Sequence, residues 1–388
     1  MYTKLSSEGP VRRAWAASGT LRAYGAAVLA VCAVAIGLPP ATANATAGKD
    51  YRLSGPYSRE NLAIYLIHRE GRKGGSTPII LGEAMRKGLV KVVETGNVRR
   101  LMVRNMGDRE VFIQAGDIVK GGKQDRVLLT SMVIPPNSEF LPIGAFCVEA
   151  GRWAGRGREK VGEFSTSAYR MPSRAGKIAI MKSIRRERAP ETRQSARLGY
   201  ELHGLRILEG ARRRSRGPYL QGEVWHSVAL MQDALGRAVR AQVADRRSRT
   251  SLQLSLENKR LASALAGYEK DLSGLLEKHP DAVGYVFAVN GEINSGDEFG
   301  SAGLFRKVWS RQLKAAATEA IAGKSAPKRR RPTLAEVAAF IDSARAAKPA
   351  SRALPGDMSL VTRKAEGSFY MEVRRGNDHW VHRNFVAR

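Results

Sequence analysis

The sequence predicts an α+β protein with an N-terminal, mostly antiparallel sheet of sandwich or barrel-like form and a helical second half. Between Asn61 and Glu149, short runs rich in Val, Ile, Leu and Phe alternate with turn residues, as is typical of strands joined by hairpins. From Val224 onward, apolar residues recur at helical spacing over longer stretches. With 388 residues, 43% of them hydrophobic, the chain can bury a substantial core.

The first half is interpreted as strands and one short helix. Residues 46–60 are polar and predict no regular element. Leu81–Lys87 has a helical composition, and Gly88 is a suitable C-cap. Thr95-Gly96-Asn97 is a hairpin signal between two strand-like runs. The predicted strands are Asn61–Arg69, Leu89–Glu94, Val98–Arg104, Val111–Gln114, Arg126–Ile134 and Glu139–Val148.

The second half carries longer helical patterns with strands between and after them. Ser301 is a suitable N-cap for a helix that runs to Ala322 and that Gly323 ends. Thr333 and Glu336 form a capping-box pattern that begins another helix. The other predicted elements are helices over Val224–Leu235 and Leu254–Leu276, and strands over Val283–Asn290, Ser359–Arg363, Ser368–Arg374 and Trp380–Phe385.

These elements predict four regions. Residues 1–45 have a basic leader, an uncharged apolar run and an Ala43-Asn44-Ala45 cleavage pattern, so we expect a signal peptide. The main domain spans 50–322 and contains a basic excursion over 154–216. A basic linker covers 323–332, and residues 333–388 form a C-terminal helix and strands. We therefore expect a secreted, periplasmic or envelope protein, with no transmembrane helix after cleavage.

The net charge of +29 favours anionic partners, which include phosphates, nucleic acid and anionic polymers. We do not expect nucleic-acid binding, because the basic runs lack interleaved aromatic residues and export separates the protein from DNA. The histidines show no metal-ligand spacing, and we expect neither a metal nor a cofactor. Cleavage near Ala45 leaves Cys147 as the sole thiol, so no internal disulfide can form.

One candidate site is a glycine-containing, charged loop. Paired glycines permit positive φ and allow a ligand to approach the main chain, while the flanking cations and hydrogen-bonding ends suit a phosphate, carboxylate or ribose. An ordinary hairpin turn with solvated charges explains the pattern equally well. The loop residues are Lys120, Gly121, Gly122, Lys123, Gln124, Asp125 and Arg126.

Two further groups of polar residues follow. Cys147 and Glu149 are two positions apart and face the same way on a strand, with Arg152 and Trp153 close behind. A buried, packed cysteine is the simpler interpretation of Cys147, which leaves Glu149, Arg152 and Trp153 as ligand contacts. Asn290 and Asp297 lie at and beyond the end of a buried strand, where polar residues often line sites and also often form turns.

The order of these motifs resembles one family. The motifs are GGKQDRV at Gly121–Val127, Ile134-Pro135-Pro136, FCVEAGRW at Phe146–Trp153, VNG at Val289–Gly291, Asp297 to Phe299 and the upstream run Leu81–Val98. Together they are similar to the ADP-ribosylglycohydrolase- and rhodanese-phosphatase-superfamily-associated protein domain family. The resemblance covers roughly residues 50–322 and implies no established activity. The family name makes an anionic, nucleotide-like ligand conceivable for the loop at Gly121–Arg126.

The leading hypothesis is an exported binding protein that takes a small anionic, phosphate- or ribose-like ligand. Its site would combine the loop with Glu149, Arg152 and Trp153. The first alternative is a hydrolase in which Glu149, Asp125 or Asp297 serves as the acid/base. The second is a structural envelope protein whose basic surface binds anionic polymers.

Overall fold

The computed structural model describes residues 45–46, 50–69, 77–157, 159, 161–186, 217–376 and 379–388. Apart from Ala45, the predicted signal peptide lies outside the described residues, and so does the part of the basic excursion from 187 to 216. The described helices and strands form an α+β fold whose sheets are mostly antiparallel.

The largest layer is a nine-stranded sheet in which every neighbouring pair is antiparallel. Its order is β1-β2-β3-β13-β14-β18-β17-β16-β15, so three N-terminal strands form one side and six C-terminal strands form the other, and the two groups meet where β3 pairs with β13. The strands are β1 (Ala45–Thr46), β2 (Arg52–Arg59), β3 (Leu62–His68), β13 (Ala282–Val289), β14 (Glu292–Phe299), β15 (Pro349–Ala353), β16 (Met358–Lys364), β17 (Ser368–Arg375) and β18 (His379–Ala387).

Two smaller sheets lie between these halves in the sequence. Six strands form a curled half-barrel in the order β12-β8-β9-β11-β6-β5, and the bridge between Val93 and Glu163 brings its two ends together. The order β10-β7-β4 forms the third sheet. The strands are β4 (Ile79–Ile80), β5 (Val90–Glu94), β6 (Arg100–Asn105), β7 (Val111–Ile113), β8 (Asp117–Gly121), β9 (Arg126–Leu128), β10 (Met132–Ile134), β11 (Leu141–Cys147) and β12 (Phe164–Arg170).

The helices cover the nine-stranded sheet on both faces. Phe305 of α7 packs with Tyr285 and Phe287 in the larger core, and Val337 of α8 packs with Tyr65 in the smaller one. The helices are α1 (Leu81–Arg86), α2 (Arg174–Arg186), α3 (Gly217–Val239), α4 (Leu252–Leu256), α5 (Lys259–Leu272), α6 (Leu275–Lys278), α7 (Ala302–Ala322) and α8 (Leu334–Ala346).

Local signals located several elements well. The Leu304 amide donates to the Ser301 hydroxyl at the start of α7, and Gly323 ends that helix. Thr333 and Glu336 form a complete capping box at α8. The predicted hairpin across Thr95-Gly96-Asn97 is the β5–β6 pair.

The prediction of a helical second half is not confirmed, because that half contains both helices and strands. That half supplies β13–β18; the sequence predicted β13, β16, β17 and β18, whereas β14 and β15 were not predicted. The strands of the segment 333–388 join the nine-stranded sheet, where β18 pairs with β14. Arg126–Ile134 divides into β9 and β10, which belong to different sheets, and the polar residues before Glu60 form β2.

Candidate functional site

The charged loop is the turn between β8 and β9, and its glycines are needed for packing. Gly121 and Gly122 have φ of +114° and +57°. A Cβ at Gly122 would lie 2.6 Å from the ring of Phe164 and 2.8 Å from Oε1 of Glu94. The missing side chains therefore allow the half-barrel to close against this turn, which leaves no open space above the glycine pair.

The loop meets the Glu149–Arg152 segment in a buried group of ions, the Asp125 cluster, which consists of Asp125, Glu149, Arg152 and Arg156. Arg156 donates to both carboxylate oxygens of Asp125 at 3.1 Å and lies 3.5 Å from Oε1 of Glu149. Arg152 donates to Oε1 and Oε2 of Glu149 at 2.7 Å. Burial opposes the positive charge of Arg156, but the hydrogen bonds that Arg156 donates to Asp125 and Glu159 outweigh this effect and raise the pKa of Arg156.

The rest of the loop is also occupied by protein partners. Arg126 is 1% exposed and donates to the Gln124 carbonyl at 3.0 Å and to Glu94 at 3.3 Å. Lys120 pairs with Glu257 at 2.9 Å. The amide of Lys123 donates to Glu94 at 3.2 Å, and the side chain of Gln124 donates to the Glu149 carbonyl at 2.9 Å. The structure thus brings the loop, Glu149 and Arg152 together as a packed ion cluster.

Trp153 differs from the buried members of the Asp125 cluster because it is 56% exposed. Cys147 lies at the end of β11 and is buried, and burial raises the pKa of its thiol to about 11. A protonated, enclosed thiol is a packing group rather than a nucleophile. Among the residues that the structure describes, no three His, Cys, Asp or Glu side chains form a group suited to a metal ion.

Asp297 lies in a second buried cluster, separate from Asp125. Burial alone would raise the pKa of Asp297, but Arg170 and His382 lower it well below the usual value. Asn384 donates to Asp297 at 2.8 Å and Arg170 does so at 3.0 Å. The Asp297 cluster consists of Asp297, Arg170, His382, Asn384, Gln114, Gln312 and Tyr285.

His382 connects this cluster to Ser131. The Ser131 hydroxyl lies 2.9 Å from Nδ1 of His382, whose Nε2 lies 3.1 Å from Asp297. A hydroxyl, imidazole and carboxylate in this order match the partners of a catalytic triad. However, Ser131 is fully buried and accepts a hydrogen bond from the Ala115 amide at 2.9 Å. Ser131, His382 and Asp297 therefore have no access to a substrate, and their hydrogen bonds satisfy buried polar groups.

A hydrolase would need two carboxylates that converge on one open pocket. Asp125 and Glu149 do converge, but the guanidinium of Arg156 lies between them. Asp297 belongs to the other cluster. The three carboxylates therefore do not share a pocket.

Asn290 lies beside a cleft of about 360 Å³. Asn290 and Gly291 have φ of +53° and +84°, which is the pattern of a type I′ turn between β13 and β14. The Arg329 amide donates to the Asn290 carbonyl at 2.8 Å, and the Asn290 side chain donates to the Gly323 carbonyl at 2.8 Å. This turn thereby holds the end of α7 and the segment around Arg329 in place.

The cleft has a polar wall and an apolar wall. Leu230, Met231 and Ala234 of α3 supply apolar surface, together with Val289. Opposite charges line the rest: Arg329 lies 3.0 Å from Glu292, and Arg174 lies 3.8 Å from it. The remaining polar residues of the lining include Ser173, Asn294 and Glu319. Such a lining suits a small ligand that has a charged end and an apolar body.

Glu319 is fixed by two donors at one oxygen. Its Oε1 accepts from the Arg174 amide at 3.0 Å and from the Asn294 side chain at 3.2 Å. Its Oε2 is buried and has no hydrogen-bond partner among the described residues. Nearby, the buried Lys177 donates to Ser295 at 3.0 Å, and burial lowers the pKa of Lys177 to about 8, an effect that Glu319 partly offsets.

Sequence reasoning missed most of the residues that make these sites. Arg156, Arg170 and Lys177 lie in the predicted basic excursion, and Glu319 lies in the helix predicted to end at Ala322, so none of the four carries a local signal that it belongs to a site. One indirect signal was present. The polar run EINSGDEF of β14 follows the buried strand β13 across an Asn-Gly turn, and this pattern indicates a hairpin whose second strand lies in the same sheet.

Comparison with known proteins places the whole described fold in one family. No curated protein and no solved structure matched the chain. Within the part of the chain that the structure describes, no helix has the length and apolarity needed to cross a membrane. The family model of the ARG and Rhodanese-Phosphatase-superfamily-associated Protein domain (ARPP-1) matches residues 50–386, so it extends past the motifs into β18. The chain therefore belongs to the ARPP-1 family.

Proposed function

We propose that this protein binds a small anionic ligand in the cleft between α2, α3 and the Asn290 turn. The observation that carries the proposal is the pair of arginines, Arg174 and Arg329, at the border of a cavity of about 360 Å³. Pockets for small molecules have volumes of roughly 300–1,000 Å³. The ligand class is the one predicted for the charged loop, and the cleft is the better location for it.

The difference between the two locations is the availability of positive charge. The side chain of Arg329 is 71% exposed and pairs with that of Glu292, which is 45% exposed. Exposed ion pairs contribute about 0–1 kcal/mol, so a phosphate or carboxylate can recruit Arg329 at little cost. Arg126 and Arg156 are instead buried against Glu94, Asp125 and Glu149. Releasing a buried guanidinium from its carboxylates costs far more.

Calorimetric titration of the mature chain with glycerol 3-phosphate tests the proposal. We expect Arg329→Ala to weaken binding up to about fivefold, because Arg329 is exposed and an exposed ion pair contributes about 0–1 kcal/mol. Arg330→Ala is the matched control, since Arg330 is 70% exposed, adjacent in sequence and paired with Glu336 instead. Undetectable binding to the wild type, or equal loss in both variants, would contradict the proposal.

We also propose that the chain is exported, and the support is the leader pattern before Ala45. Mass spectrometry of the N-terminus of the secreted chain should find cleavage near Ala45. An intact leader on protein recovered from the cytoplasm would contradict export.

Binding of an anionic envelope polymer is a second candidate. It is favoured by the exposed basic run Lys328–Arg331, which borders the cleft at Arg329. In that case affinity should fall steeply with salt and depend little on the chemistry of the polyanion. A ligand preference that persists at high salt would favour the small-molecule site.

A further inference from the structure

The inner wall of the cleft indicates which anionic ligands it accepts. Glu319 presents one carboxylate oxygen, Oε1, to two protein donors, while Oε2 is buried without a partner among the described residues. A buried, unpaired carboxylate oxygen is costly, because it has lost its hydration and gained no hydrogen bond. Unlike Ser131, Glu319 lines the cleft, so a ligand donor that reached Oε2 from the cleft would remove that cost.

Glu319 is also held in a fixed position. Lys177 donates to Ser295 at 3.0 Å, and Ser295 donates to Oδ1 of Asn294 at 3.3 Å. The Asn294 amide must therefore direct its NH₂ group towards Glu319, as the 3.2 Å contact requires. These hydrogen bonds fix the orientation of the Glu319 carboxylate before any ligand arrives, and they leave Oε2 as the oxygen that can still accept a hydrogen bond.

The charges around Glu319 decide which kind of donor fits. Lys177 is buried close to Glu319, whose charge acts to raise the pKa of Lys177. Arg174 is the first residue of α2, and its backbone amide donates to Oε1 of Glu319. Lys177 and Arg174 therefore place two positive charges near Glu319, although the guanidinium of Arg174 itself pairs with Glu292 at 3.8 Å. An ammonium group on the ligand would be repelled by both, whereas a neutral hydroxyl would not.

We infer that the cleft selects phosphorylated polyols or sugars, with a ligand hydroxyl donating to Glu319 and the phosphate contacting Arg174 and Arg329. The inference rests on the proposed function, because it assigns the two ends of the same ligand. The apolar side of the ligand would face Leu230 and Met231 of α3, which line the opposite wall.

The test uses three ligands with the same three-carbon chain and the same phosphate. Glycerol 3-phosphate carries hydroxyls, propyl phosphate carries no donor, and 3-aminopropyl phosphate carries an ammonium. In calorimetric titrations we expect glycerol 3-phosphate to bind about tenfold tighter than propyl phosphate, the value of one hydrogen bond to a charged group. We expect 3-aminopropyl phosphate to bind no better than propyl phosphate.

Glu319→Gln identifies the acceptor. The variant keeps the size of the side chain and an oxygen for the Arg174 amide, and we expect it to reduce the preference for glycerol 3-phosphate to about threefold or less. Retention of the full preference would exclude Glu319 as the acceptor. Circular dichroism confirms that the variant is folded, and the three-ligand comparison on the wild type requires no variant.

The outcomes separate the two proposals. Equal binding of glycerol 3-phosphate and propyl phosphate by the wild type would overturn hydroxyl selection and leave the anion site intact. Tighter binding of 3-aminopropyl phosphate would overturn the choice of hydroxyl over ammonium. Absence of binding for all three would overturn the anion site itself.

Discussion

Asp125→Ala is the most direct test of the structural role assigned to the charged loop. Asp125 accepts from Arg156 at 3.1 Å at both oxygens, from the Ser251 hydroxyl at 2.7 Å and from the Gly121 amide at 3.0 Å. It therefore ties together the loop, the segment that carries Arg156 and the residue that caps α4. Removal of its carboxylate should loosen all three.

The magnitude follows from burial. Deleting one partner of a buried ion pair costs about 3–5 kcal/mol, because the remaining charge stays buried without compensation. Arg156 would retain Glu159 at 2.9 Å and Glu149 at 3.5 Å, so its charge would remain partly paired. We therefore expect the free energy of unfolding to fall by about 3 kcal/mol, the lower end of that range.

Urea denaturation followed by far-ultraviolet circular dichroism measures this change, with linear extrapolation to water. Glu257→Ala is the matched control, because Glu257 pairs with Lys120 at the surface, where a pair contributes about 0–1 kcal/mol. If Asp125→Ala lost no more stability than the control and instead abolished ligand binding, the loop would be the binding site and the assignment to the cleft would be wrong.

Three other predictions concern separate parts of the fold. A Cβ on Gly291 would lie 2.3 Å from the Arg330 carbonyl oxygen, whereas Gly96 also has positive φ but open space around it. Gly291→Ala should therefore lower the free energy of unfolding by at least about 1 kcal/mol more than Gly96→Ala does. Equal unfolding midpoints for the two variants would contradict this. Because the pKa of Asp297 is lowered on folding, its stabilising effect exists above the unfolded pKa of about 3.9 and is lost as the pH falls below that value. Asp297→Asn should therefore flatten the acid side of the curve of stability against pH, and an unchanged slope would refute the assignment. The Cys147 thiol, buried and with its pKa raised to about 11, should react with a disulfide reagent only after denaturation, and rapid labelling of the native chain would contradict its burial.

Elements with strong local signals were predictable from the sequence. The predicted helix ends at Ser301, Gly323 and Thr333 agree with the structure, because a helix cap depends on residues only a few positions apart. Strand β14 was missed as a strand because its polar residues are buried. Asp297 is satisfied by Arg170, which lies 127 positions earlier in the chain. Short sequence windows contain no information about such a partner.

The candidate sites show the same division. The sequence correctly suggested that the loop, Glu149 and Arg152 lie close together, since β9 and β11 are neighbouring strands. It gave no sign that Arg156 would neutralise Asp125 and Glu149, because that segment contains many glycines and arginines and no periodic pattern. The cleft was beyond prediction, since α2, α3, the Asn290 turn and the segment at Arg329 meet only in three dimensions.

The mixed strand order of the nine-stranded sheet has a consequence for how the chain acquires its structure. Leu62 pairs with Val289, and the side chains of Asn61 and Asn290 bond across 229 positions of sequence. All strand pairings of the half-barrel lie within residues 90–170, a shorter stretch of sequence than the 229 positions between Asn61 and Asn290, so we expect the half-barrel to assemble first and the large sheet last. Until β18 reaches β14, the backbone of Ser295–Phe299 is an open edge. A newly made chain would be prone to aggregation through that edge until its final strand docks.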